Sequence, residues 1–217
     1  MTVDGTAAFD LLARTARLVD IASPSRQEGP LVDLLEAELR GIDHLEVTRV
    51  GDNLVARTAL GRAMRLILAG HTDTVPADGN AAARLDGDRL HGVGSADMKG
   101  GLAVMLELAR QVAEPAVDCT WVFYAREEVA SAESGLGELF ELRPDLLAGD
   151  AAVLGEPTAA RIEAGCQGTL RLRIVLRGER AHTARPWLGR NAVHRLAALL
   201  GALDAYVERS PVIDGCE

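Results

Sequence analysis

The spacing of apolar and polar residues changes along the chain, and each change predicts an element. Phe9, Leu12, Ala13, Ala16 and Val19 recur at helical intervals, which predicts an amphipathic helix over residues 7–21, broken by Pro24. Ser25 and Glu28 fit a capping box, in which each side chain reaches the other's free backbone amide. A second helix follows, with Leu31, Leu34, Leu35 and Leu39 as its core face and Gly41 at its end. Leu45 and Val47 then begin an alternating, half-buried strand that runs to the Gly51-Asp52 turn, and residues 53–58 pair back as a hairpin. The run Leu66-Ile67-Leu68-Ala69-Gly70 is apolar throughout, as a strand buried on both faces would be, and Pro76 stops its continuation.

Residues 77–95 are rich in Gly, Asp and Ala and predict a loop with a short hairpin arm at Arg84–Leu90. A helix is expected over Leu102–Gln111, a buried strand over Cys119–Ala125, a short helix over Ser134–Leu142 and a small strand over Ala151–Leu154. From Thr169 to Leu176 the pattern alternates again, with Leu170, Leu172 and Ile174 opposed to Arg171, Arg173 and Val175, which suits an antiparallel sheet wet on one side. A final helix is expected from Asn191 to about Val207, with Val193, Leu196, Ala197 and Leu200 facing a core. Strands interleaved with helices predict an α/β fold, and the change of pattern near residues 165–168 predicts a domain boundary there.

Composition narrows the function. A chain of 217 residues with 48% hydrophobic and 25% charged residues can bury a real core. Its net charge of −9 argues against nucleic acid as the main partner, since phosphate binding needs a basic face. Cys119, Cys166 and Cys216 are scattered and form no CxxC pair, which suits a reducing compartment. Residues 1–21 lack the apolar stretch of a signal peptide, and no apolar run reaches membrane-spanning length. A cytoplasmic location with no membrane partner is the expectation.

Residues suited to chemistry fall just beyond the apolar runs. His71 and Asp73 follow the run that ends at Gly70, Glu127 and Glu128 follow the Cys119–Ala125 strand, and Glu156 follows Ala151–Leu154. Ligands of open α/β sheets collect beyond the carboxyl ends of the strands, where an imidazole can bind a metal and a carboxylate can orient it. The same residues also read as solvated loop charges. Asp97 lies in Gly92-Val93-Gly94-Ser95-Ala96-Asp97, where a third glycine of a dinucleotide loop is missing, and an aspartate at that place also reads as a helix cap. His44, His91 and His194 read as packing or surface residues.

Four motifs, taken in order, resemble the M20 family of dinuclear zinc amidohydrolases and peptidases. They are Gly70-His71-Thr72-Asp73-Thr74-Val75-Pro76, Gly92 to Gly101 with its Asp97-Met98-Lys99-Gly100-Gly101 ending, Glu127-Glu128, and Gly155-Glu156-Pro157-Thr158. The resemblance implies a mixed, mostly parallel sheet flanked by helices over residues 1–167, followed by the start of a smaller α+β lid or dimerisation domain over residues 168–217. It also implies two divalent metals, zinc or alternatively cobalt. Asp97 would bridge them, His71 and Glu156 would bind one, Glu128 would bind the other, Glu127 would be the general base and Asp73 would orient the His71 ring. A cis peptide after Asp97 is implied as well. His182 would reach a partner subunit's site and stabilise an oxyanion, with a structural loop histidine as the competing reading.

Gly165-Cys166-Gln167-Gly168-Thr169-Leu170 and the stretch from Ala181 to Ala192 are most similar, within the family, to actinobacterial desuccinylases. These hydrolyse N-succinyl-LL-2,6-diaminopimelate to succinate and LL-2,6-diaminopimelate in lysine and cell-wall precursor synthesis, as homodimers. Arg185 and Arg190 are candidates for holding the succinyl carboxylate. A sibling amidohydrolase, such as an acetylornithine deacetylase or aminoacylase, and a non-catalytic fragment that keeps the fold are the competing readings. The family pattern needs one more histidine ligand downstream of Glu217, so the 217 residues are expected to be an N-terminal part with little activity alone.

Overall fold

The computed structural model describes residues 10–165, 172–209 and 212. The chain divides into two compact units, Met1–Ala160 and Arg161–Glu217.

The first unit contains α1 (Leu11–Val19), α2 (Gly29–Arg40), β1 (Glu46–Val50), β2 (Asn53–Arg57), β3 (Arg65–His71), β4 (Arg84–Asp86), β5 (Arg89–His91), α3 (Gly100–Gln111), β6 (Asp118–Tyr124), α4 (Gly135–Leu142) and β7 (Ala151–Leu154). A five-stranded sheet runs in the order β1-β2-β6-β3-β7. β6, β3 and β7 are parallel neighbours, while β2 opposes both β1 and β6, so every strand but β2 points the same way. β4 and β5 form the separate hairpin arm expected from the loop.

Alternation along β6 explains the layering. All seven of its residues are buried. Cys119, Trp121 and Phe123 join one core with Leu18 of α1, Leu31, Leu35 and Leu39 of α2 and Leu102 and Leu106 of α3. Val122 and Tyr124 join the opposite core with Leu139 of α4 and Leu146. Helices therefore cover both faces, as the apolar run of a doubly covered strand requires. Gly70 lets the side chains of Met98 and Leu102 pack closely against β3. A Cβ there would lie 2.5 Å from Met98 Cε and 2.9 Å from Leu102 Cδ2.

Several expectations are corrected. α1 spans Leu11–Val19 where 7–21 was expected, and Phe9 lies outside the described residues. Ser25 and Glu28 form no capping box, because both side chains are used elsewhere: Ser25 Oγ donates to Asp73, and Glu28 accepts from the Arg126 amide. Asp97 does not cap α3 either. It sits in the irregular turn Ser95–Lys99 with φ −117° and ψ 97°, and its peptide bond to Met98 is cis. β7 is exposed along its length, with Val153 and Leu154 about half accessible.

In the second unit, residues 172–177 adopt no strand, and the remainder of the alternating stretch, residues 169–171, lies outside the described residues. Its helix, α5, is shorter than expected, spanning Leu196–Asp204. The expected core face is not buried; Val193 is 71% exposed and Leu200 54%. An apolar stripe predicts a face that needs cover, and no described residue of this unit provides it. Glu179 and Arg190 form a short antiparallel bridge.

Candidate metal centre

Because β3, β6 and β7 are parallel and adjacent, their carboxyl ends open on one side of the sheet. His71 pairs in register with Tyr124, and Ala69 with Leu154. The segments that leave these strands carry Asp73, Glu127 with Glu128, and Glu156. Asp97 enters from the turn before α3, where a Cβ on Gly101 would lie 2.5 Å from the Gly155 carbonyl oxygen. The absence of that Cβ lets the turn and the β7 loop meet.

His71 is buried, and both ring nitrogens are engaged. Nδ1 lies 3.0 Å from the Asp73 backbone carbonyl and 3.5 Å from its carboxylate. Nε2 lies 2.8 Å from Asp97 Oδ1. A proton on Nδ1 donated to the Asp73 carbonyl leaves the Nε2 lone pair facing the carboxylates, the tautomer a metal ligand needs. Burial opposes a charge on the imidazole, yet the Asp73 and Asp97 carboxylates raise its pKa to about 9.

Ligand atoms of His71, Asp97 and Glu156 lie within 4.8 Å of one another, as do those of His71, Glu127 and Glu128. The structure thus brings together all five side chains expected at the centre. It groups Glu128 with His71 and Glu127, not with Asp97 as the bridging pattern would have it, though Asp97 is near enough to act on Glu128's charge. Burial pushes the carboxyl groups of Glu128 and Glu156 above the usual carboxylate range, and neighbouring carboxylates add to this. Partly buried like charges around one imidazole raise each other's energy unless a cation enters. The donor set, one imidazole and several carboxylates, suits zinc or a similar divalent ion. By position and chemistry, these residues fit a metal.

Asp73 is wired more richly than the sequence indicated. Besides its contact with His71, its carboxylate accepts from Ser25 Oγ at 2.7 Å, the Glu127 amide at 2.9 Å and the Glu128 amide at 3.1 Å. Burial alone would raise its pKa, but these hydrogen bonds and His71 lower it to about 2. Glu28 and Asn53 also reach this loop, and sequence reasoning missed both. The only signal was polar residues in segments otherwise destined for the core.

The other candidates are placed as follows. His182 belongs to the second unit, is exposed, and accepts the Ala184 amide at its Nδ1 at 3.1 Å. Arg185 and Arg190 are exposed there too. His44 packs with Nε2 2.8 Å from the Ala109 carbonyl oxygen, His91 ends β5, and His194 is exposed. Among the described residues, no helix is long and apolar enough to cross a membrane.

Comparison with known proteins bears on the family and the fold. Residues 67–217 match the model of peptidase family M20/M25/M40. The chain is 52% identical, over 95% of its length and 59% of the relative's, to a Mycobacterium tuberculosis protein provisionally named succinyl-diaminopimelate desuccinylase DapE. It is 45% identical, over 95% of its length and 57% of the relative's, to the succinyl-diaminopimelate desuccinylase of Corynebacterium glutamicum. The chain therefore spans somewhat more than half the length of these curated relatives. The crystal structure of a Staphylococcus aureus tripeptidase superposes with a TM-score of 0.64 at 22% identity, covering 88% of this chain and 55% of the tripeptidase. That likeness concerns the fold. The sheet, the order of the motifs and these matches together assign the chain to peptidase family M20/M25/M40, to which it belongs.

Proposed function

We propose that this chain carries most of the metal centre of a succinyl-diaminopimelate desuccinylase, which hydrolyses N-succinyl-LL-2,6-diaminopimelate to succinate and LL-2,6-diaminopimelate. The observation that carries the reading is the convergence of His71, Asp97, Glu127, Glu128 and Glu156 at the carboxyl ends of parallel strands. The names of the two relatives supply the substrate.

Two divalent ions, zinc or cobalt, would be held by these residues, His71 and Glu156 on one, Glu128 on the other, and Asp97 shared by both. When bound, such ions polarise the scissile carbonyl and make a water molecule acidic near neutrality. Glu127, exposed at the mouth of the site, accepts the proton of the attacking water. It then returns that proton to the departing amine as the carbon–nitrogen bond breaks. Asp73 fixes both the imidazole of His71 and the backbone that carries Glu127 and Glu128. His182, from the lid of a partner subunit in a cytoplasmic homodimer, stabilises the oxyanion. Residues 1–167 act as the catalytic domain and 168–217 as the start of the lid.

A panel of N-acyl amino acids, assayed with the full-length protein, tests this. The succinyl substrate is expected to give the highest kcat/KM. Acetylornithine cleaved far faster than N-succinyl-diaminopimelate would sink the substrate assignment and favour a sibling amidohydrolase.

A further inference from the structure

The four amides that follow β6 are held by side chains. Ala125 N–H donates to Asn53 Oδ1 at 3.0 Å, Arg126 N–H to Glu28 Oε1 at 3.0 Å, and the Glu127 and Glu128 amides to the two oxygens of Asp73. The accepting side chains come from three separate places: the start of β2, the residue before α2, and the loop after β3. Each is buried, with Asn53 and Glu28 at 0% exposure and Asp73 at 1%.

Arg126 shows why such a hold is needed. Its φ is +61°, a left-handed conformation that a residue with a long side chain adopts only when its surroundings impose it. Its guanidinium donates to the Glu133 carbonyl at 2.7 Å and to Glu138 at 2.5 Å, which ties down the outer side of the turn. Glu28 ties down the inner side. This turn ends the extended strand and sends Glu127 and Glu128 towards His71.

Glu28 is an expensive residue for this task. Its Oε2 is buried and has no hydrogen-bond partner among the described residues. A buried carboxylate oxygen without a partner lowers stability, so its presence calls for a reason beyond packing. Among the described residues no metal group includes Glu28, and the Ser25–Glu28 capping box that would have explained it does not exist.

We infer that Glu28 is a positioning residue for the metal centre, acting through the Arg126 amide to set the directions of Glu127 and Glu128. The inference rests on the two-metal reading. It predicts coupling between Glu28 and Glu128 even though the two side chains do different work.

The test uses the full-length protein and cobalt(II) alone as the probe, with binding followed by calorimetry and by the visible spectrum of the ion. Glu28→Ala is expected to weaken cobalt binding about 10-fold, the scale of losing an outer partner of a metal site. Glu28→Gln keeps an oxygen for the Arg126 amide and should stay within about twofold, the spread expected of uncoupled changes. Glu28→Ala combined with Glu128→Ala should bind no more weakly than Glu128→Ala alone.

Unchanged cobalt binding by folded Glu28→Ala, or losses that multiply in the double variant, would overturn the inference. If Glu28→Ala does not fold, Glu28→Asp decides. It keeps the carboxyl group but falls one methylene short of the amide, so binding equal to the unmodified protein overturns the idea and a loss like that expected for alanine supports it. Hydrogen exchange in metal-free protein separates this inference from the reading beneath it. Faster exchange at Arg126, Glu127 and Glu128 in the Glu28 variants, in a protein that binds no cobalt, would leave the clamp standing and remove the two-metal centre.

Discussion

Two buried aspartates at opposite ends of the central sheet are wired almost alike. Asp118, at the start of β6, accepts from Thr58 Oγ1 at 2.7 Å, the Leu60 amide at 2.9 Å and the Arg62 amide at 2.8 Å. Asp73, just beyond the end of β3, accepts from Ser25 Oγ and the amides of Glu127 and Glu128. Both pKa values are lowered to about 2 by these donors. What differs is the loop each one holds. Asp118 holds a connection, residues 58–62, that carries no carboxylate, and its own charge is answered by Arg65 3.7 Å away. Asp73 holds two glutamates aimed at a histidine that already faces another carboxylate. Under the proposed function the same local wiring is structural at one end and chemical at the other, and the charge of the held segment tells them apart.

The largest expected effect tests what the Asp73-held loop carries. In the full-length enzyme, Glu127→Gln should lower kcat by about 10²–10⁴-fold, the usual contribution of a general base, without changing bound metal. Steady-state kinetics with metal analysis checks this, and retained turnover would strip the loop of its assigned role. The next effect compares the aspartates directly. Asp73→Asn places an amide donor where a carboxylate oxygen met a backbone N–H, and should weaken zinc or cobalt binding by about 10–100-fold. Asp118→Asn makes the same swap at the other end and should leave metal affinity within about twofold, because distant sites add independently. Equal losses in both variants would erase the distinction between the ends.

A thermal measurement sharpens the comparison further. A divalent ion that binds only the folded state stabilises by about 2.7 kcal/mol at a hundredfold excess over Kd. Glu156→Gln should lose most of the resulting rise in Tm, whereas Asp118→Asn, from its lower starting Tm, should keep all of it. A full rise in Glu156→Gln would remove Glu156 from the centre.

The fold was largely legible from periodicity, because β6 and α2 bury most of the residues their spacing marks, whereas α3 leaves Val104 and Leu108 exposed and buries Leu102, Met105 and Leu106. Leu31, Leu35 and Leu39 of α2 are all in the core. The strand-end placement of His71, Glu127, Glu128 and Glu156 was legible too, since parallel strands must deliver their following residues to one side. Ser25 and Glu28 were misread because a local pairing explained them, while their actual partners lie 48 and 98 residues away. The same holds for Asp73. Its closeness to His71 in sequence suggested one role, and the amides it accepts became visible only once the β6 loop was in place. α5 and the 172–177 stretch failed for a different reason. An amphipathic pattern states which face wants cover and cannot supply it, and the described residues of that unit leave Val193 and Leu200 exposed.

Acid provides the smallest effect and the most direct contrast between the two ends. A carboxylate whose folded pKa is lowered stabilises the fold above its unfolded value, and that stability disappears as pH falls through the folded value. For Asp118 the window lies between its ordinary value of 3.8 and about 2. Glu128 and Glu156 have raised values and the opposite sign, so they destabilise metal-free protein as pH rises above their ordinary 4.5. Urea midpoints measured on metal-free protein should therefore decline on both sides of a maximum near that value. Asp118→Asn should make the acid side shallower, with the like contribution of Asp73 remaining, and leave the other slope alone, while added zinc should flatten the other slope and leave the acid side alone. An acid limb unchanged in Asp118→Asn would mean that its hydrogen bonds do not hold that end of the sheet, and the likeness between the two aspartates would be one of geometry without consequence.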